Sequence, residues 1–183
     1  MVLARTDLPQ GFSLYEEEPW DNISASRAWS DRDKWIKSFE YWGRYGGFET
    51  TFETDETDML GDLIQSSAAI FRTEEGAQAA FWAMRAGLED NLRRRYSAQY
   101  SNLIELEELV RPKTGDGTFA LHVNASGTAF DMPVIVDLIS LSFLREVVIA
   151  SVVWRSFQSS VPERQLIRLA EKQDQRVIAA LQS

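Results

Sequence analysis

The spacing of apolar positions changes several times along the chain, and each change marks an element. Phe12 and Leu14 alternate with Ser13 and Tyr15, which predicts a short strand over 12–17 behind a turn at Leu8-Pro9-Gln10-Gly11. Pro19 ends that strand. Residues 23–41 carry a weaker helical period. Trp35, Phe39 and Trp42 are spaced by four and three, and Ser30-x-x-Asp33 is a candidate cap. Gly46-Gly47 predicts a break, Phe48 to Glu53 a strand, 55–62 an acidic loop, and Leu63 to Arg72 the next strand. Thr73 then caps a helix whose first turn holds Glu74 and Glu75, where the helix dipole favours acids. Ala77, Phe81, Met84, Leu88 and Leu92 form its apolar face, and it ends near Arg95 to Tyr100.

The second half reads mostly as strands. Ile104 to Val110 is short, and Pro112 to Gly117 is a turn. Phe119, Leu121 and Val123 alternate with Ala120, His122 and Asn124, the clearest strand pattern in the chain, and Gly127 predicts the turn after it. Pro133 to Phe143 and Glu146 to Phe157 are apolar on both faces. They read as central strands covered on two sides, or on one side by a partner. A helix over 161–182 follows, with Ser160-x-x-Glu163 as a capping box, Pro162 in the first turn, and Leu166, Leu169, Ala170, Val177, Ile178 and Leu181 as its stripe. Strands grouped with strands predict an α+β fold rather than a doubly wound one. The expectation is one domain over 1–183, with a mostly antiparallel sheet of about six to seven strands. Two main helices pack on one face, and an aromatic-rich insert occupies about 21–47.

Length and charge narrow the functions. The chain has 183 residues, which suits a single domain. Its net charge of −9 argues against a nucleic-acid partner and an anionic membrane surface. The charge is uneven: residues 1–62 hold 14 acidic and 6 basic side chains, and the remainder 14 and 13. Having no cysteine excludes thiol catalysis, disulfides and thiolate metal sites. No apolar run is long enough for a membrane span. Met1 to Thr6 is too short for a signal peptide, so the expected compartment is extracytoplasmic if a leader was trimmed and cytoplasmic otherwise.

Candidate chemistry is sparse. Gly-x-Gly-x-x-Gly, the phosphate-loop motif, His-Glu-x-x-His and Gly-x-Ser-x-Gly are all absent, so no cofactor, metal or catalytic set is assigned. His122 is the sole histidine. It would act as a base only with an orienting Asp131 or Asp137 and a nucleophile such as Ser140 or Ser142. Otherwise it is a sheet-face residue. Glu16-Glu17-Glu18 and Asp55-Glu56-Thr57-Asp58 read as solvated acidic turns or a cation site. Arg93-Arg94-Arg95, with Arg85, reads as helix-end or ion-pairing charge, or as an anion site.

The aromatic run from Trp20 to Phe48 stands out. Three readings fit it: a satellite core, a wall for a ring-bearing ligand, or a homodimer surface. The candidate ligand-lining residues are Trp35, Trp42, Tyr45, Phe48, Trp82 and Trp154.

Three features together resemble a loose group of small bacterial α+β domains, namely PsbP-like domains and extracytoplasmic lipoprotein or receptor-kinase sensor domains. They are Leu8-Pro9-x-Gly11-Phe12-x-Leu14, the unit Ser66-Ser67-Ala68-Ala69-Ile70-Phe71-Arg72-Thr73-Glu74-Glu75-Gly76-Ala77, and the last strand pair followed by an amphipathic helix. The resemblance covers most of the chain in element order, and the insert from Asp21 to Gly47 stands outside it. It implies a non-catalytic domain that binds a small apolar ligand or a protein, on the open sheet face or between sheet and insert. The alternatives are a structural homodimer joined through 133–157, or an enzyme using carboxylates and His122.

Overall fold

A computed structural model of the protein describes residues 1–54, 61–99, 102–109, 114–129, 132–157 and 159–183. The elements run β1 (Phe12–Pro19), α1 (Asn22–Ser26), α2 (Arg32–Tyr41), β2 (Arg44–Thr54), β3 (Leu63–Phe71), α3 (Glu74–Gln99), β4 (Asn102–Glu108), β5 (Gly117–Ala129), β6 (Met132–Arg145), β7 (Val148–Ser156) and α4 (Glu163–Leu181). The strands form one antiparallel sheet in the order β1-β2-β3-β7-β6-β5-β4, so the fold is α+β. The doubly apolar pair β6 and β7 sits near the centre, hydrogen-bonded on its outer sides to β5 and β3. It therefore offers no free edge for a partner strand.

The two long helices lie on opposite faces, not on one. Pleating sends alternate residues to opposite sides. Ile64, Ala68, Ala150, Val152, Leu141 and Phe143 go to one side, where they meet Leu166, Leu169, Ala170 and Val177 of α4. Ala69, Phe71, Ile149, Phe119 and Leu144 go to the other and meet Ala77, Ala80 and Phe81 of α3. Two apolar faces need two covers, which is why one helix layer does not suffice.

Several boundaries shift for local reasons. β2 starts at Arg44 and runs straight through Gly46-Gly47. Gly47 is needed there because a Cβ would lie 2.6 Å from the Ala68 carbonyl oxygen on β3. Gly127 is likewise inside β5, paired with Val134, rather than in a turn. The cap of α2 is Asp31, whose Oδ1 accepts from the Lys34 amide at 3.1 Å, not Ser30. Thr73 does cap α3, its Oγ1 accepting from the Gly76 amide at 3.1 Å. Ser160 lies too early to cap α4, which begins after Pro162 without a side-chain cap.

Candidate functional site

Between the sheet and the insert, on the α3 side, lies a cavity of about 540 Å³. Cross-strand register explains its floor. Glu18, Glu49, Ser67, Ser151, Ser142 and Phe119 form one continuous row across five strand boundaries. A second row runs Glu16, Thr51, Gln65, Val153, Ser140 and Leu121. Toward one end the next row on this face is apolar, with Ala69, Ile149 and Leu144 packed against α3, while the row on the other side mixes Gln65 and Ser140 with Val153 and Leu121. At Ser67, Ser151 and Ser142 the side chains are too small to reach α3, and room is left above them. The Ser142 and Ser151 hydroxyls are 2.7 Å apart and hydrogen-bonded.

The roof and far wall are apolar. Met84, Leu88 and Leu92 of α3 line it, as do Trp20 and Trp29. Trp29 is buried in a cluster with Ala25 and Phe39 and stacks on Trp35. The insert is anchored by two polar ties. Asn91 of α3 donates to the Ala28 carbonyl at 2.6 Å. Arg44, 6% exposed, donates to the Trp20 carbonyl at 2.8 Å and to Asn22 Oδ1 at 3.0 Å, with its guanidinium over the Trp20 and Phe39 rings. Burial pulls that guanidinium down to about 10, against a smaller opposing pull from Asp21.

The cavity is electrically lopsided. Glu16, Glu18 and Glu49 stand at the β1–β2 end, and Arg155 lines the floor on β7. Burial pushes the Glu49 carboxyl up to about 7; a hydrogen bond from Gln65, 2.7 Å away, opposes this, and Glu18 and Glu16 add to it. Glu49 is thus half-protonated near neutrality and can donate as well as accept.

The six aromatic residues singled out from the sequence are spread over the molecule. Trp35 backs Trp29 in the roof, at 3.7 Å between ring centroids. Trp42 meets Trp35 and Phe39 edge-on and packs toward α3. Tyr45 is exposed on β2. Phe48 pairs with Ala68, on the face away from the cavity. Trp82 is half-exposed on α3, edge-on to Phe81. Trp154 is buried in the α4-side core, its indole N–H donating to Asp62 at 3.0 Å. The residues that do line the cavity, the serines above all, carry no sequence motif. Their only signal is serine inside otherwise largely apolar strands, at alternate positions 140 and 142 of β6 and singly at 67 and 151 on this face.

His122 does find a carboxylate. Its Nε2 is 2.5 Å from Asp137 Oδ1, and Asp137 Oδ2 accepts from the Val161 amide at 2.6 Å. This group sits on the α4 side of the sheet, whereas Ser140 and Ser142 point to the other side. The sheet itself separates the base from both serines. Asp131 and the 55–58 cluster lie outside the described residues. Arg93 and Arg94 pair with Glu89 and Asp90 one turn earlier on α3. Asp116, just before β5, accepts from Arg145 and the Glu146 amide; residues 112 and 113 of the expected turn lie outside the described residues. Among the described residues no group of three acidic or histidine side chains could hold a metal ion, and no helix is long and apolar enough to cross a membrane.

No protein-family model matches the chain, and no curated protein matches its sequence. Among solved structures, the crystal structure of the extracellular domain of PknH from Mycobacterium tuberculosis is similar. The match covers 91% of this chain and 86% of that one at 8% identity, with a TM-score of 0.50. The likeness is one of fold.

Proposed function

We propose that this protein is a non-catalytic binding domain that holds a small ring-bearing molecule between the serine floor and the tryptophan roof. One observation carries the reading: a cavity of about 540 Å³ with one hydroxyl-lined wall and one apolar wall. That volume falls in the range of small-molecule sites, which are mostly apolar with a few placed polar groups. A ring with a greasy face and hydroxyl-bearing edges matches both walls at once. The separation of His122 from the serines favours holding over acyl chemistry. The likeness to an extracellular domain is compatible with a binding role outside the cell.

The test is a tryptophan-fluorescence titration against ring-bearing small molecules. Trp20 and Trp29 line the cavity, so a true occupant changes their emission. Ser142→Leu fills the floor and removes that response, while Phe48→Ser, on the opposite face, leaves it intact. Binding that survives Ser142→Leu, or a screen with no responding molecule, overturns the reading.

A further inference from the structure

We propose that the occupant of this cavity is an organic anion, a hydroxylated ring carrying a carboxylate that pairs with Arg155. The proposal rests on the cavity being the binding site and adds the charge and class of what fills it.

Arg155 is set in an apolar collar. Its cross-strand neighbours are Leu63 on β3 and Leu138 on β6, both of which line the cavity. Its guanidinium carbon lies 4.8 Å from the centre of the Phe157 ring. Its Nε is buried and has no hydrogen-bond partner. Arg85, Arg93, Arg145 and Arg176, by contrast, each hold a carboxylate. Arg44 holds a carbonyl and an amide oxygen. Arg155 as a whole is half-buried, but a buried N–H without an acceptor is costly. A bound carboxylate would satisfy it, since the arginine fork matches the two oxygens of a carboxylate.

The acids of the cavity do not fill this role. Glu49 is two strands away from Arg155 and four residues along, which places them about 16 Å apart at ordinary sheet spacings. An anion at Arg155 therefore lies at the far end from Glu49, Glu16 and Glu18. Its ring would lie over Ser140, Ser142 and Ser151, with hydroxyls toward those groups and its apolar face toward Met84 and Leu88. Two sources supply this chemistry: a sugar acid and a phenolic acid.

The experiment measures binding of two matched pairs by tryptophan fluorescence and calorimetry: D-glucuronate against D-glucose, and 4-hydroxybenzoate against phenol. The expected result is that in at least one pair the acid binds about tenfold to a hundredfold more tightly, the range that a charge-assisted hydrogen bond gives. The responding pair identifies the source. Arg155→Gln should erase the preference for the acid, and Arg155→Lys should keep part of it. The assignment is overturned if acid and neutral partner bind alike in both pairs, if none of the four binds, or if the preference survives in Arg155→Gln. Should that variant fail to fold, the comparison within each pair on the unaltered protein still decides. Neutral molecules that bind as well as the acids, and are lost in Ser142→Leu, would sink the charge assignment while leaving the cavity as the site.

Discussion

Trp29 lies nearly flat on Trp35, their planes 21° apart, and Gly87 of α3 faces both rings. A Cβ at position 87 would sit 3.2 Å from an edge carbon of each ring. The absence of a side chain there is what lets the roof settle onto α3.

Gly87→Leu should therefore cost about 1–3 kcal/mol, the usual penalty for overpacking. It should also weaken the near-ultraviolet circular dichroism of the stacked pair. Gly87→Ala should be close to neutral, because about 1 kcal/mol of better helix propensity offsets a small displacement of the rings. Urea unfolding of both variants checks this. Equal stability of Gly87→Leu and the parent would mean that the stack does not rest on this contact.

Glu49 makes stability depend on pH. Its folded-state carboxyl titrates near 7, raised from an ordinary value of 4.5 chiefly by burial. The folded chain thus binds this proton more tightly than the unfolded chain does. The stability that follows is fully present below about pH 4.5 and is lost as the pH rises through about 7. Thermal unfolding between pH 5 and 8 should show the parent losing more stability than Glu49→Gln, which carries no titrating group. Identical slopes would contradict the burial of this acid.

Asp137 should matter more than His122. Its carboxylate, 5% exposed, serves the His122 ring and the Val161 amide that leads into α4. Asp137→Ala leaves a buried N–H unpaired and should cost about 2–4 kcal/mol. His122→Ala keeps the Val161 bond and should cost less. Neither should alter binding in the cavity, which lies across the sheet. A loss of binding in a well-folded His122→Ala would bring the histidine back as a functional residue.

The fold was largely legible because its cues are local. The alternation at Phe119, Leu121 and Val123 and the period of Ala77, Phe81, Met84, Leu88 and Leu92 each require one geometry, and these segments form β5 and α3. The side on which a helix packs is not local. It depends on which alternate set of strand residues is larger, and β6 and β7 are apolar in both sets. Gly46-Gly47 resembles a break because close approach of two strands and a turn call for the same residue. Of the candidate site, only the cavity's position between sheet and insert was legible. Its tryptophans drew attention by rarity, yet Trp154 is core and Phe48 faces away. Ser67, Ser142 and Ser151 are unremarkable in sequence and become neighbours only when β3, β6 and β7 line up.

The three aligned hydroxyls have an evolutionary consequence. Valines at those positions would let α3 settle fully against the strands, giving a chain that resists heat better and accommodates no guest. Random change that improves folding would tend to close the gap. Its persistence in this molecule would then require selection for what enters it.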